Sequence, residues 1–379
     1  MKMKRKTFFL KILLLSVLSF KLQAAEIKQM FEVNLPVVNQ EADIRKAAFE
    51  QGLIEVAVRV SGTSLAPTQL ELSEASRLIS QYRYRAMSEQ EITAYQQKHP
   101  ADVPPKYSLW MRFDDEKLKQ LLRSNSLPIW GYQRPDVLIW LVVKDGRNRY
   151  LLKRSDQSQI KDAVDLAAAN RGLPVVWPEY DQVDQKLVEF TDIWGQFWEP
   201  VKQASLRYKV GAIILGRMHW LNDSWQVDWS LLEEGRMQSW NINAVDLSVL
   251  TRSGIDVATD NISSRFAVFA DSLNDEELIV RITDLSSVKR YAQAAHYLQS
   301  LAPVKSIYAK EVNQQQVDFH IDLSGDEDDL KRIIALGKVL IPHNTSRVVP
   351  LQDMPEEPSG QITPAQNTQV RILSYRFGG

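Results

Sequence analysis

A chain of 379 residues that contains no cysteine has to be held together by packing alone. It has no disulfide, no thiolate metal site and no cysteine nucleophile to draw on. With 44% hydrophobic residues it is long enough to bury the apolar surface that makes such staples unnecessary. The length favours two or three domains.

The first two dozen residues have the make-up of a secretory leader. Lys2, Lys4, Arg5 and Lys6 form a basic start, Ile12 to Phe20 is nearly all apolar, and Leu22-Gln23-Ala24 supplies a cleavage site before Ala25. The apolar run is bracketed by Lys11 and Lys21 and falls short of the roughly 20 residues that a membrane span needs. Residues 1–24 therefore read as a cleaved signal peptide, and the remainder as a soluble protein with no membrane span. An exported chain of this size without disulfides suits a bacterial periplasm. The leader holds six of the 46 basic residues and no acidic one, so the rest has 40 basic against 47 acidic side chains. That balance speaks against nucleic acid, whose affinity rests on neutralising phosphates.

Periodicity divides the remainder into a multidomain α+β and α/β architecture. Residues 26–130 give a βααββα unit, a small sheet with helices on one face. Its strands are expected at Ile27–Leu35, Tyr82–Met87 and Tyr107–Phe113, with a polar insertion ending in Pro104-Pro105 between the last two. Its helices carry Ile44, Ala47, Ala48 and Leu53, then Leu70 to Ile79, then a short helix started by Asp114-Asp115 and running through Leu122. Residues 131–272 give a mixed-sheet α/β unit. Val137 to Val143 is an unbroken apolar run, as in a strand buried on both faces. A helix with Ile160, Ala163, Val164, Ala167 and Ala168 on one stripe stops at Gly172. From Val210 to Ile242 the period becomes two, with turns at Asn222-Asp223 and Glu234-Gly235, and a helix follows from Val245 to Phe269. Residues 275–350 show the order βαββαβ, the ferredoxin-like arrangement, with Val317, Phe319, Ile321 and Leu323 toward the helices. Gln316, Asp318, His320 and Asp322 then line an open sheet face. Residues 351–369 read as a flexible linker, and Val370 to Phe377 as a strand that adds to a sheet edge in this chain or in a partner.

Nothing in the sequence carries a catalytic motif. There is no G-x-S-x-G elbow, S-x-x-K, phosphate loop or dinucleotide fingerprint. The five histidines, His99, His219, His296, His320 and His343, are too scattered for zinc, so no metal and no cofactor is expected. Gly325-Asp326-Glu327-Asp328-Asp329 lacks the ligand spacing of a calcium loop and fits the first turn of a helix, where the backbone dipole favours carboxylates. Aromatic residues are the remaining signal. All ten tryptophans lie between Trp110 and Trp240, and Phe190, Ile193, Trp194, Phe197 and Trp198 crowd around Gly195. Such a group serves either as core or as a binding platform. The candidate binding residues are Trp194, Phe197 and Trp198, with Val370, Ile372, Tyr375 and Phe377 of the tail.

Several stretches together resemble the uncharacterised secreted bacterial family DUF2066. They are Val58-Arg59-Val60-Ser61-Gly62, Leu127-Pro128-Ile129-Trp130-Gly131, Arg134-Pro135 before Val137, and Ala204 to Tyr208 before Val210 to Arg217. The middle unit, with an apolar strand ending in Gly216 and a Trp-rich hairpin, is more remotely similar to the amino-terminal domain of the Tol-Pal protein TolB. The resemblance implies recognition of envelope proteins without catalysis. The expectation is a periplasmic adaptor that binds an envelope protein or a peptidoglycan-associated component through sheet edges and aromatic surface. The alternative is an envelope hydrolase or small-ligand binder with its site at a domain junction.

Overall fold

A computed structural model of the chain describes residues 29–269, 278–343, 347–348 and 371–378. The expected leader, the linker 351–369 and Val370 lie outside these residues. The described chain is a mixed α/β molecule with three sheets and eleven α-helices.

The first sheet is antiparallel, built from β1 (Glu32–Val37), β2 (Ile79–Ala86) and β3 (Tyr107–Phe113) in the order β1-β3-β2. Helix α1 (Ala42–Ser61) lays Leu53, Val56, Ala57 and Val60 onto Leu109, Met111 and Phe113. It ends where Gly62 takes φ 79°, a left-handed cap that other residues rarely adopt. Helix α2 (Ala75–Leu78) is a single turn, shorter than the expected helix from Leu70 to Ile79. The expected polar insertion contains helix α3 (Glu89–Lys98). Ser88 caps it in a box with Glu91, a signal that outweighs its short apolar stripe. Helix α4 (Asp115–Ser124) closes the unit, capped by Asp114.

In the middle unit β4 (Val137–Asp145) is buried on both sides, as its composition requires. Val137, Ile139, Leu141 and Val143 face one core, while Leu138, Trp140 and Val142 face another. Strand β5 (Asn148–Leu151) folds back on it as a hairpin. Helix α5 (Gln159–Arg171) ends at left-handed Gly172, and β6 (Val175–Val176) returns parallel to β4. Three short helices follow, α6 (Gln182–Gln185), α7 (Phe190–Trp194) and α8 (Trp198–Ser205). Strand β7 (Ala212–Leu221) pairs parallel to β4, then β8 (Ser224–Glu233) and β9 (Arg236–Ala244) complete an antiparallel meander. Its turns take the positive φ expected of them, at Asn222, Asp223, Glu234 and Gly235. Helix α9 (Leu247–Phe266) and α5 cover one face of the sheet, and α7 and α8 cover part of the other.

The third unit contains β10 (Leu278–Thr283), α10 (Val288–Ser300), β11 (Val304–Val312), β12 (Gln316–Leu323), α11 (Glu327–Leu336) and β13 (Leu340–Pro342). Val317, Phe319 and Ile321 are buried toward the helices, as their alternation predicts. Two further strands, β14 (Arg347–Val348) and β15 (Arg371–Phe377), complete a sheet of order β11-β12-β10-β15-β13, with β14 beside β15.

The tail thus corrects one expectation. It does not add to an edge but enters the interior of its own sheet, parallel to β10 and antiparallel to β13. Leu373, Tyr375 and Phe377 are apolar at a period of two, and all three are buried in the third core.

Candidate functional site

The exposed aromatic surface is built by the loop between α7 and α8. Glu189 and Asp192 form a capping box that starts α7, and the Phe190 and Trp194 rings, one turn apart, stack with centroids 5.6 Å apart. After Gly195, Gln196 takes φ 54°, and the Phe197 amide donates back to the Asp192 carbonyl at 2.8 Å. This tight reversal throws Phe197 outward, leaving it 60% exposed. Its ring lies so close over Gly195 that a Cβ there would come within 2.7 Å of it.

Two polar links fasten this corner to the sheet. Arg217 on β7 donates to the Trp194 carbonyl at 3.2 Å and to Asp228 on β8 at 2.9 Å. Ser230 donates to the Gln196 side chain at 3.2 Å and shares a 2.8 Å hydrogen bond with Ser239 on β9. His219 stands 6.0 Å from the Trp194 ring, with its Nδ1 unpartnered. The result is a shelf, with one exposed ring, a half-buried stacked pair and a row of compensated or uncharged polar groups running toward β9.

The sequence-derived candidates separate on this surface. Phe197 is the solvent-facing ring. Trp194 and Trp198 are half-buried and pack against the core formed by Leu138, Trp140 and Val142. The tail residues lie far along the chain in another unit. Tyr375 and Phe377 are buried in its core, Ile372 is half-buried, and Val370 is outside the described residues.

The junction of the first and middle units is filled rather than hollow. Arg134 is buried, and all five of its N–H groups donate to carbonyls, those of Gly131, Arg171, Gly172, Arg59 and Trp130, at 2.7–2.9 Å. Three of these carbonyls belong to the C-terminal ends of α1 and α5, where the helix dipole favours a cation. Its guanidinium also lies 3.9 Å from the Trp130 ring centroid. Burial, together with the neighbouring Arg59 and Arg171, pushes its pKa well below the ordinary arginine value. Arg171 bonds Asp256 at 2.7 Å, Asp260 at 2.6 Å and the Gly62 carbonyl at 2.6 Å. Sequence reading missed this cluster, because three arginines at positions 59, 134 and 171 show no spacing that links them.

One open groove flanks this junction and another lies between the middle and third units. The first, of about 260 Å³, is lined by Leu65, Leu127, Asp260, Ser263 and Phe269. The other, about 470 Å³, is lined by Arg236, Arg265, Phe269, Asp326, Asp329 and Arg332. Most of its charges are already engaged: Arg265 with Glu233 and Glu234, Asp326 and Asp329 in the cap of α11, and Arg332 with Asp329. On the third sheet, Arg281 holds Asp318 through two hydrogen bonds, while Ser306 and His320 hold Asp322, so the polar row does not converge on one point. Among the described residues no group of three His, Asp or Glu side chains has the arrangement of a metal site.

Residues 24–131 match the model of a family described as a domain of unknown function, DUF8605. No curated protein matches the chain, and no solved structure does. The resemblance to DUF2066 is therefore corrected, and the likeness of the middle unit to TolB has no structural match behind it. Stretches that carried the family resemblance have a local explanation in packing. Arg59, Gly62, Trp130 and Arg134 are the junction itself. Ser205, Arg207 and Tyr208 tie α8 to Trp140, Asp181 and Asp184.

Proposed function

We propose that the chain is an exported, non-catalytic adaptor of the bacterial periplasm that binds an envelope protein or a peptidoglycan-associated component through the Phe197 shelf. The observation that carries this reading is the exposed Phe197 ring, held over Gly195 beside the Phe190–Trp194 stack. Keeping a large ring in water is unfavourable, and anchors of this kind dominate binding energy at interfaces. The compensated ion pair and neutral hydroxyl and amide groups around it suit a rim that excludes water without imposing a net charge. The apolar leader supports export, and no described helix is long and apolar enough to cross a membrane. The third unit reads as a ferredoxin-like fold elaborated by the inserted tail strand, and serves as a scaffold rather than a second docking site.

The test is a photo-crosslinking amino acid placed at Phe197 in intact cells, with Leu166 on the opposite face of the sheet as the control position. A discrete adduct with an envelope component, formed at Phe197 and absent at Leu166, is the expected result. Equal labelling at both positions, or adducts confined to cytosolic proteins, would overturn the reading. Phe197→Ala should weaken binding to the captured component by about tenfold or more.

A further inference from the structure

Among the described residues, strand β9 closes its sheet with an edge unlike the others. Proteins blunt exposed sheet edges with charges, prolines, bulges or short strands. Strand β1 has six residues and includes Pro36. Strand β2 carries Arg83 and Arg85 and a register shift. Strand β5 has only four residues and includes Arg149. Strand β11 carries Lys305, Lys310 and Glu311 and is broken by two register shifts. Strand β13 is three residues long with Pro342 at its end. Strand β9 runs for nine residues in unbroken register with β8, and beyond Arg236 it has no charge, proline or bulge.

The hairpin fixes which backbone groups face outward. The two-residue turn Glu234-Gly235 makes Glu233 and Arg236 a hydrogen-bonded pair, and such pairs recur at alternate residues up to Trp225 and Ala244. Met237, Ser239, Asn241 and Asn243 therefore turn their N–H and C=O groups away from β8. The side chains of all four are exposed. The bond between Ser239 and Ser230 places this row on the same face of the sheet as the Phe197 shelf.

We infer that β9 pairs with β9 of a second copy of this chain, antiparallel across a two-fold axis, to make one continuous sheet. Charge decides the occupant. Across a two-fold axis the edge meets its own image in reverse, so a charge near the axis would face its own copy, and a row without charge beyond Arg236 avoids that repulsion. Ser239, Asn241 and Asn243 each donate and accept hydrogen bonds and carry no charge, which makes the row self-complementary. An axis perpendicular to the sheet keeps the same face of both copies on one side. Both Phe197 rings would then face one surface, converting a single weak contact into a bivalent one. This pairing stands on the edge geometry and does not depend on what the shelf binds.

Sedimentation equilibrium of the exported protein tests it, with a dimer expected. Asn241→Lys places an ammonium group in the paired row of each copy and should weaken the dimer at least tenfold, while circular dichroism and thermal midpoint stay unchanged. Ser239→Pro removes an outward N–H without touching the ladder to β8 and should act in the same direction. Because the chain has no cysteine, a variant carrying both Ser239→Cys and Asn241→Cys should give an interchain disulfide dimer on mild oxidation. A monomer at every loading concentration overturns the inference. So does a dimer that Asn241→Lys leaves intact and the cysteine variant fails to crosslink.

Discussion

Arg134 is a buried cation with no carboxylate beside it, sustained by five carbonyls. Replacing a buried ion with an apolar isostere is often harmless when its partner is removed too. Here the partners are backbone oxygens at two helix ends and cannot be removed. Each orphaned acceptor costs about 1–3 kcal/mol, so Arg134→Met is expected to lose at least ~3 kcal/mol in urea unfolding. Lysine cannot reproduce the five-donor fork and should rescue little. Gly195→Ala acts differently: the new methyl meets the far end of the mobile Phe197 ring, so stability should change by less than about 1 kcal/mol while crosslinking at the shelf declines. Glu233 is buried at the β8–β9 corner, and burial pushes its pKa up despite Arg265. A carboxyl whose folded pKa is raised stabilises the fold while protonated, and that contribution is lost as pH rises from its unfolded pKa through the folded one. Glu233→Gln should therefore gain stability relative to the parent at neutral pH, and the gain should vanish on acidification. A gain that grows toward low pH would contradict this account.

At the level of elements, what was readable in the sequence was what local patterning dictates. Strand β4 announces two-sided burial by its seven consecutive apolar residues, the meander by its period of two, and α5 by its stripe and terminal glycine. Helix α3 escaped because its only apolar stripe is the short pair Ile92 and Tyr95, and the Ser88–Glu91 box is the clearer signal. The shelf was half legible: the aromatic crowding was visible, but which ring faces water depends on the Gln196 reversal and the links to β7 and β8. The tail was legible as a strand but not in its place, since parallel pairing with β10 depends on contacts about 90 residues away in sequence. Leu373→Ala should cost about 2–5 kcal/mol, a core value rather than the near-zero of a surface strand. Within α9, Gly254 packs against the Trp229 indole, where a Cβ would clash with its nitrogen. Alanine gains up to about 1 kcal/mol of helix propensity, but displacing a buried indole costs about 1–3 kcal/mol, so Gly254→Ala should lower the unfolding midpoint.

Over the whole molecule α9 is the common strut. Ser64 and Ser263 join it to the first unit, through Asp260 at 2.6 Å and the Gly62 carbonyl at 2.7 Å. Its last turn reaches the third unit, where Arg332 donates to the Arg265 carbonyl at 2.6 Å. Ile129 and Val268 exchange two backbone hydrogen bonds of 2.9 Å just beyond it. The first and middle units share more than this strut, because the Arg59, Arg134 and Arg171 cluster bonds carbonyls from both. These two units should therefore open as one cooperative body, whereas the third, joined by fewer bonds among the described residues, should open separately. Native-state hydrogen exchange distinguishes the cases, since amides of one cooperative body share a common opening free energy. In the parent protein the slowest amides of α1 and of β4 should open together, with those of β12 at a different value. Arg134→Met should lower the value for α1 below that for β4, because the first unit loses its anchor while the middle unit keeps its own two-sided core. If α1 and β4 already open independently in the parent protein, the arginine cluster fills the junction without coupling the units across it.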